Sequence, residues 1–232
     1  MGRRKIPGLI ALVGGGEFLP GCELADQPLL KAAGGPSAKV VILPTAAAHE
    51  DPGLAAKNGV NWFKNLGAQA EAAMIVDAKS AQDEKLAAAI EEAKLIYLTG
   101  GDPGYLLRTL RGSAAWNAIL QAHSRGSILV GSSAGAMVLG GLIWKYPGEG
   151  FEDGLRLVSS VVVVPHHDSW GRDRAQGLRP SIPGELALLG VAEKTAAVWS
   201  GANWQVLGPG EVTVYIGNKE RTYRHGQAFN LG

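Results

Sequence analysis

Five short apolar runs, at 9–13, 40–43, 72–76, 95–98 and 128–130, alternate with helical patterns at about 23–33, 53–66, 81–93, 104–110 and 114–124. This alternation constrains the fold more than anything else in the chain. An uninterrupted apolar run of four or five residues has no solvent face, so a strand made from it needs cover on both sides. Helical connections between such strands provide that cover and force neighbouring strands to run parallel. The expected fold class is therefore α/β, a mainly parallel sheet with helices on both faces.

Four of the five runs stop in small residues: Gly14-Gly15-Gly16, Pro44-Thr45, Gly100-Gly101-Asp102 and Gly131-Ser132-Ser133. These loops fall at carboxyl ends of strands, where open α/β sheets bind their ligands. Beyond Gly141 the pattern changes. The stretch 155–165 is strand-like, and 168–183, with five charged residues and two prolines, reads as a surface loop. The segments 195–199, 204–207, 212–216 and 221–223 read as a short antiparallel C-terminal extension, with Gly208-Pro209-Gly210 and Gly217-Asn218 as turns. At 232 residues, with neither a repeat nor a linker, a single domain over 1–232 is expected.

Composition narrows the function classes. A net charge of +1 gives no electrostatic reason to expect nucleic acid or an anionic membrane as partner. Cys22 is the only cysteine, so no internal disulfide forms and a reducing, cytoplasmic setting is expected. The basic start from Met1 to Lys5 and the apolar run after it imitate a secretory leader. Pro7 and Gly8 interrupt the imitation, and Gly14 to Glu17 stand where a cleavage site would be, so a first buried strand is the better reading. No stretch reaches membrane-spanning length.

Gly131, Ser133 and Gly135 match the G-x-S-x-G pattern of a sharp strand-to-helix turn that presents a serine hydroxyl. Glycine flanks such a turn because a side chain there would strike neighbouring backbone. A serine hydroxyl needs a base and oxyanion donors. His166 and His167 end the apolar stretch 161–164 at the edge where the loops gather, and His166, stiffened by Pro165, is the favoured base. His49 and His123 read as solvated side chains. For the oxyanion, the Ala134 amide follows from the turn, and Gly100 or Gly101 could supply a second. Adjacent histidines on a strand face opposite ways, so His166 and His167 do not suggest a shared metal. No metal or cofactor is expected. The acid that would orient the base is left open among Glu193, Asp168 and Asp173.

The ordered pieces, Gly14-Gly15-Gly16-Glu17, Pro44-Thr45-Ala46, Leu98-Thr99-Gly100-Gly101-Asp102, Gly131 to Ala136, Pro165-His166 and Gly190 to Ala196, resemble the cyanophycinase and dipeptidase E family of serine peptidases. That family is related to the class I glutamine amidotransferases and their flavodoxin-like fold. The resemblance spans about 9–216. It implies Ser133 as nucleophile, His166 as base and Glu193 as the group orienting it, with His167 in reserve. It also implies cleavage beside an aspartyl residue, the side-chain carboxylate being read by an arginine among Arg172, Arg174 and Arg179. Gly100 and Asp102, with Arg172 and Arg174, are the expected substrate contacts, and Gly101 with Ala134 the oxyanion donors. The implied substrate is a small aspartyl peptide or a cyanophycin-like chain, and a homodimer is left open. Pro103 after Gly-Gly-Asp and His167-Asp168 after the base depart from the cyanophycinase pattern. Two other readings compete: an esterase using Ser133, Asp173 and His225, and an amidotransferase-like domain that binds a ligand or partner without catalysis.

Overall fold

The computed structural model describes residues 7–145 and 150–231, so the basic part of the leader-like segment lies outside the described residues. Strands β1 (Ile10–Val13), β2 (Lys39–Leu43), β3 (Gln69–Ala72), β4 (Leu95–Leu98) and β5 (Ile128–Ser132) form the parallel part of an eight-stranded sheet. Strands β10 (Ala196–Trp199), β11 (Trp204–Leu207) and β14 (Ala228–Phe229) add antiparallel to the free edge of β1, giving the order β14-β11-β10-β1-β5-β4-β2-β3.

Alternate residues of each parallel strand enter different cores, because successive strand side chains point to opposite faces. Ala11, Val13, Val40, Ile42 and Tyr97 pack with Leu29 and Leu30 of α1 (Glu23–Ala32) and Phe63 of α2 (Pro52–Asn65). On the other face Leu12, Val41, Leu43, Ile96 and Leu129 pack with α3 (Glu84–Glu92), α4 (Pro103–Leu110), α5 (Ala114–Ser124) and α6 (Ala134–Leu139). The helix starts are written locally. Asp51, Asp83, Asp102 and Ser113 each accept a backbone N–H from the first turn of the helix they precede. Pro52 and Pro103 take the first helical position, where no N–H is needed. Pro103 is thus a helix-start residue.

The expected third run is displaced. The strand is Gln69–Ala72, not 72–76, and its exposed Gln69 and Glu71 alternate with buried Ala70. It is an edge strand of the sheet and is half covered, so period-two alternation marks it better than an apolar run.

The second half holds more than an antiparallel tail. Strands β6 (Gly140–Trp144), β7 (Phe151–Asp153), β8 (Val158–Val164), β9 (Ala187–Val191), β12 (Glu211–Ile216) and β13 (Lys219–Arg224) build a second sheet, ordered β13-β12-β9-β8-β6-β7. Its central pairs β6–β8 and β8–β9 are parallel. The surface loop expected at 168–183 is instead helix α7 (Gly171–Leu178) followed by a single turn at Arg179–Ser181. Only Gly171 and Ala175 of α7 are buried, so the segment lacks the apolar stripe that announces a helix.

Asp26 on α1 is fully buried, with its Oδ2 accepting from Trp62 Nε1 at 2.8 Å. Burial pushes its carboxyl up to about 7, whereas the unfolded chain titrates near 3.8. Between those values the folded state keeps a proton that the unfolded state has released, so stability falls as pH rises from about 4 to about 7. Asp26→Asn keeps an acceptor for Trp62 and removes that loss. Its thermal midpoint should exceed the wild type most at pH 8, and the gain should shrink towards zero by pH 4.

Candidate active site

Ser133 follows β5 and immediately precedes α6 in a conformation with φ of 47° and ψ of −109°. A side chain on Gly131 would lie 2.4 Å from the carbonyl oxygen of Gly135, and one on Gly135 would lie 2.5 Å from that of Leu98. Both flanking positions of the motif are therefore closed to anything but glycine. A non-glycine residue held at positive φ stores strain, which a surrounding structure must hold in place. Here the Ser133 N–H donates to Val13 O and its carbonyl accepts from Met137 N.

His166 reaches this hydroxyl from the second sheet. Its Nε2 lies 3.1 Å from Ser133 Oγ and its Nδ1 2.7 Å from Glu193 Oε1. Carboxylate oxygens only accept, so Nδ1 carries the proton and Nε2 offers its lone pair to the hydroxyl. Such a chain can move the serine proton onto the imidazole while the carboxylate balances the resulting charge. His166 and Lys194 also have positive φ, 52° and 58°. Their N–H groups donate to Gly14 O and Gly15 O, both at 2.8 Å, while Gly14 N–H donates to Thr195 O. The indole of Trp170 stacks on the His166 ring at 5.2 Å.

The other candidates separate cleanly. His167 turns into the core, where Nε2 meets Tyr215 OH at 2.9 Å and burial lowers its basicity. It is not near Ser133 in reserve. His123, read as solvated, is buried, with Nδ1 against Ser127 O at 3.2 Å, and burial lowers its pKa too. His49 is exposed and meets Tyr105 edge-on. His225 Nδ1 accepts the Gly208 amide, so the Ser-Asp-His esterase order is not assembled. Asp168 accepts the Glu193 N–H at 2.9 Å and so fixes the backbone beneath that carboxylate. Asp173 lines the cavity beside Ser133 without entering the chain of hydrogen bonds.

Two cavities meet at Ser133. One, of about 730 Å³, is walled by Met137, Trp144, Pro165, Trp170 and Arg174 together with Gly101 and Ala134. The Arg174 guanidinium lies 5.0 Å above the Trp144 ring. Arg172 points elsewhere and pairs with Glu211 at 3.3 Å, and Arg179 donates to Gly217 O. The second cavity, of about 510 Å³, has Gly16, Glu17, Glu50 and Asp51 in its wall with His166. Asp102 caps α4 and does not line either cavity.

Of the two glycines that could offer an amide, the Gly100 N–H is already taken, donating to Glu17 Oε1 at 2.7 Å. Among the described residues nothing accepts from the Gly101 N–H, and Ala134, first in α6, has no intrahelical acceptor. Glu17 is the residue that sequence reasoning missed. Its signal was a lone carboxylate directly after three glycines at a strand end. Trp144 and Trp170 carried no signal, because nothing local distinguishes an aromatic that walls a cavity from one that fills a core.

A parallel sheet with a strained serine elbow, met by an imidazole–carboxylate pair from a second sheet, gives the molecule the amidotransferase-like α/β fold. The chain belongs to peptidase family S51, which matches residues 10–207. The cyanophycinase of Trichormus variabilis is 30% identical over 197 residues, 78% of this chain and 64% of that protein. The chain thus spans less than two thirds of that relative's length. The cyanophycinase of Geminocystis herdmanii is 28% identical over 232 residues, 94% of this chain and 84% of that one. Among solved structures, a peptidase from an acI-B1 Actinobacterium superposes with a TM-score of 0.89 at 27% identity, covering 98% of both chains. A candidate Peptidase E of Listeria monocytogenes, at TM-score 0.62 and 19% identity over 94% of this chain and 98% of that one, shares the fold.

A side chain on Gly15 would stand 2.3 Å from Cε1 of the His166 ring, at a φ of 107°. Gly15→Ala should therefore push the ring off Ser133 while the sheets stay intact. A crystal structure of the variant should show the Nε2–Oγ separation lengthened beyond hydrogen-bonding distance.

Proposed function

We propose that this protein is a serine peptidase in which Ser133 is the nucleophile, His166 the general base and acid, and Glu193 the group that orients and balances His166. The observation that carries this reading is the unbroken chain from Ser133 Oγ through the His166 ring to Glu193, with contacts of 3.1 and 2.7 Å. As Oγ attacks the substrate carbonyl carbon, its proton passes to His166 Nε2. The oxyanion receives the Gly101 and Ala134 amides, and collapse breaks the C–N bond as His166 protonates the departing amine. Water, deprotonated by the same nitrogen, then cleaves the Ser133 acyl ester and restores the hydroxyl.

The substrate is a peptide with an aspartyl residue at the cut bond. Arg174 supports this, since it lines the larger cavity beside Ser133 and its forked donors suit a carboxylate. Family membership and relatives named cyanophycinase support the same class. Arg172, paired with Glu211 away from the cavity, has no part in it.

Ser133→Ala and His166→Ala should each abolish hydrolysis of an N-terminal aspartyl dipeptide, with circular dichroism unchanged. A fluorophosphonate should label the wild type at Ser133. Undiminished hydrolysis by Ser133→Ala would exclude the reading.

Arg174→Ala should raise KM for the aspartyl dipeptide by about tenfold or more, the order expected when a charged hydrogen-bond partner is lost. Arg172→Ala should leave KM within about twofold, as for a surface ion pair. Steady-state kinetics on the two variants decides which arginine reads the substrate.

A further inference from the structure

We propose that Glu17 is a positioning residue that sets the oxyanion site by tying the ends of β4 and β5 together. This rests on the reading that Ser133 is an acylating nucleophile. Oε1 of Glu17 accepts the Gly100 N–H at 2.7 Å, and Oε2 accepts the Ser132 hydroxyl at 2.6 Å. One carboxylate thereby grips the loop that carries Gly101 and the residue immediately before the nucleophile.

The amides around Gly101 explain why this matters. Thr99 N–H donates to Leu43 O, Gly100 N–H to Glu17, and Asp102 N–H to Ala46 O. The Gly101 amide between them has no acceptor among the described residues, and Gly101 borders both cavities with Ser133. It is the one donor of the run left for a ligand oxygen. From the far side Gly101 is pinned, since a Cβ there would lie 2.2 Å from Ala46 O. From the near side only Glu17 holds the Gly100 amide. Two adjacent glycines have wide backbone freedom, and apart from Glu17 the Gly100–Gly101 peptide is held by the long bond from the Thr99 hydroxyl to Gly100 O, at 3.3 Å. Without the Glu17 anchor that peptide can rotate and turn the Gly101 N–H away. The same carboxylate, through Ser132, keeps this loop in register with the elbow and hence with the Ala134 amide.

The role requires hydrogen bonding rather than charge. In Glu17→Gln the amide oxygen can accept from Gly100 while its NH2 donates to the Ser132 oxygen, so both ties survive. Glu17→Ala loses both. Fluorophosphonate labelling of Ser133 passes through an oxyanion that needs the Gly101 amide, so its rate reports the site directly. Labelling of Glu17→Ala should be about a hundredfold slower than wild type, the scale of losing one oxyanion donor. Glu17→Gln should stay within about tenfold of the wild-type rate. With the aspartyl dipeptide the loss in Glu17→Ala should fall on kcat, with KM within about threefold.

Equal labelling rates in Glu17→Ala and wild type would overturn the proposal, as would a Gln variant as slow as the Ala variant. Should Glu17→Ala fail to fold, amide hydrogen exchange on the unmutated protein decides it. The Gly100 amide should be protected and the Gly101 amide should exchange freely, and equally fast exchange at both overturns the proposal. A wild type whose Ser133 takes no label would instead remove the underlying reading, so the two failures are told apart.

Discussion

The candidate site depends on a passage without side chains at Gly14, Gly15 and Gly16. Two sheets meet there. The Gly14 and Gly15 carbonyls receive the His166 and Lys194 amides, and the Gly14 amide donates to Thr195 O. A Cβ on Gly15 would occupy the His166 ring, and one on Gly16 would lie 3.2 Å from Glu193 Oε2. The imidazole and the carboxylate thus sit in space that any larger residue would fill. Backbone hydrogen bonds supply the attachment, and the missing side chains supply the room.

Three of the non-glycine residues with positive φ gather around that passage. Ser133, His166 and Lys194 all hold positive φ, each with its amide anchored to the β1 strand or its loop. Strain of this kind persists only where neighbouring structure over-determines the backbone, and β1 provides it from the centre of the sheet. Adjacent histidines then take opposite duties. His166 leaves the strand end towards Ser133, while His167 returns to the core against Tyr215 and the bare backbone of Gly190. Trp170, half exposed, covers the outer face of the His166 ring and joins Trp144 in walling the larger cavity.

Much of the fold was legible locally. Where a strand is covered on both faces, as β1, β2, β4 and β5 are, its apolar run marks it nearly residue for residue. Where cover is partial the signal fails: β3 alternates and was displaced, and α7 buries only Gly171 and Ala175 and read as loop. The second sheet was legible only in part, because Gly140-Gly141 and the short β7 carry little pattern, and β9 lies between stretches without periodicity. Burial of His123 was likewise invisible, since its polar neighbours on α5 masked a contact made with Ser127 across the helix end.

By itself the sequence determined the parallel sheet, the elbow with its two obligatory glycines, and the gathering of small-residue loops at one sheet edge. Each follows from a local cause: continuous apolar character, steric closure around Ser133, or a strand ending in residues without bulk. It also placed a histidine at the edge. Only the tertiary structure decided that Glu193, 27 residues away, meets His166, that Asp168 holds the Glu193 amide instead, and that Arg174 rather than Arg172 borders the cavity. It alone joined Glu17 to Gly100 and Ser132, separated from it by 83 and 115 positions. Such contacts arise where separate sheets and loops pack together, and no pattern confined to one segment encodes the distance between two.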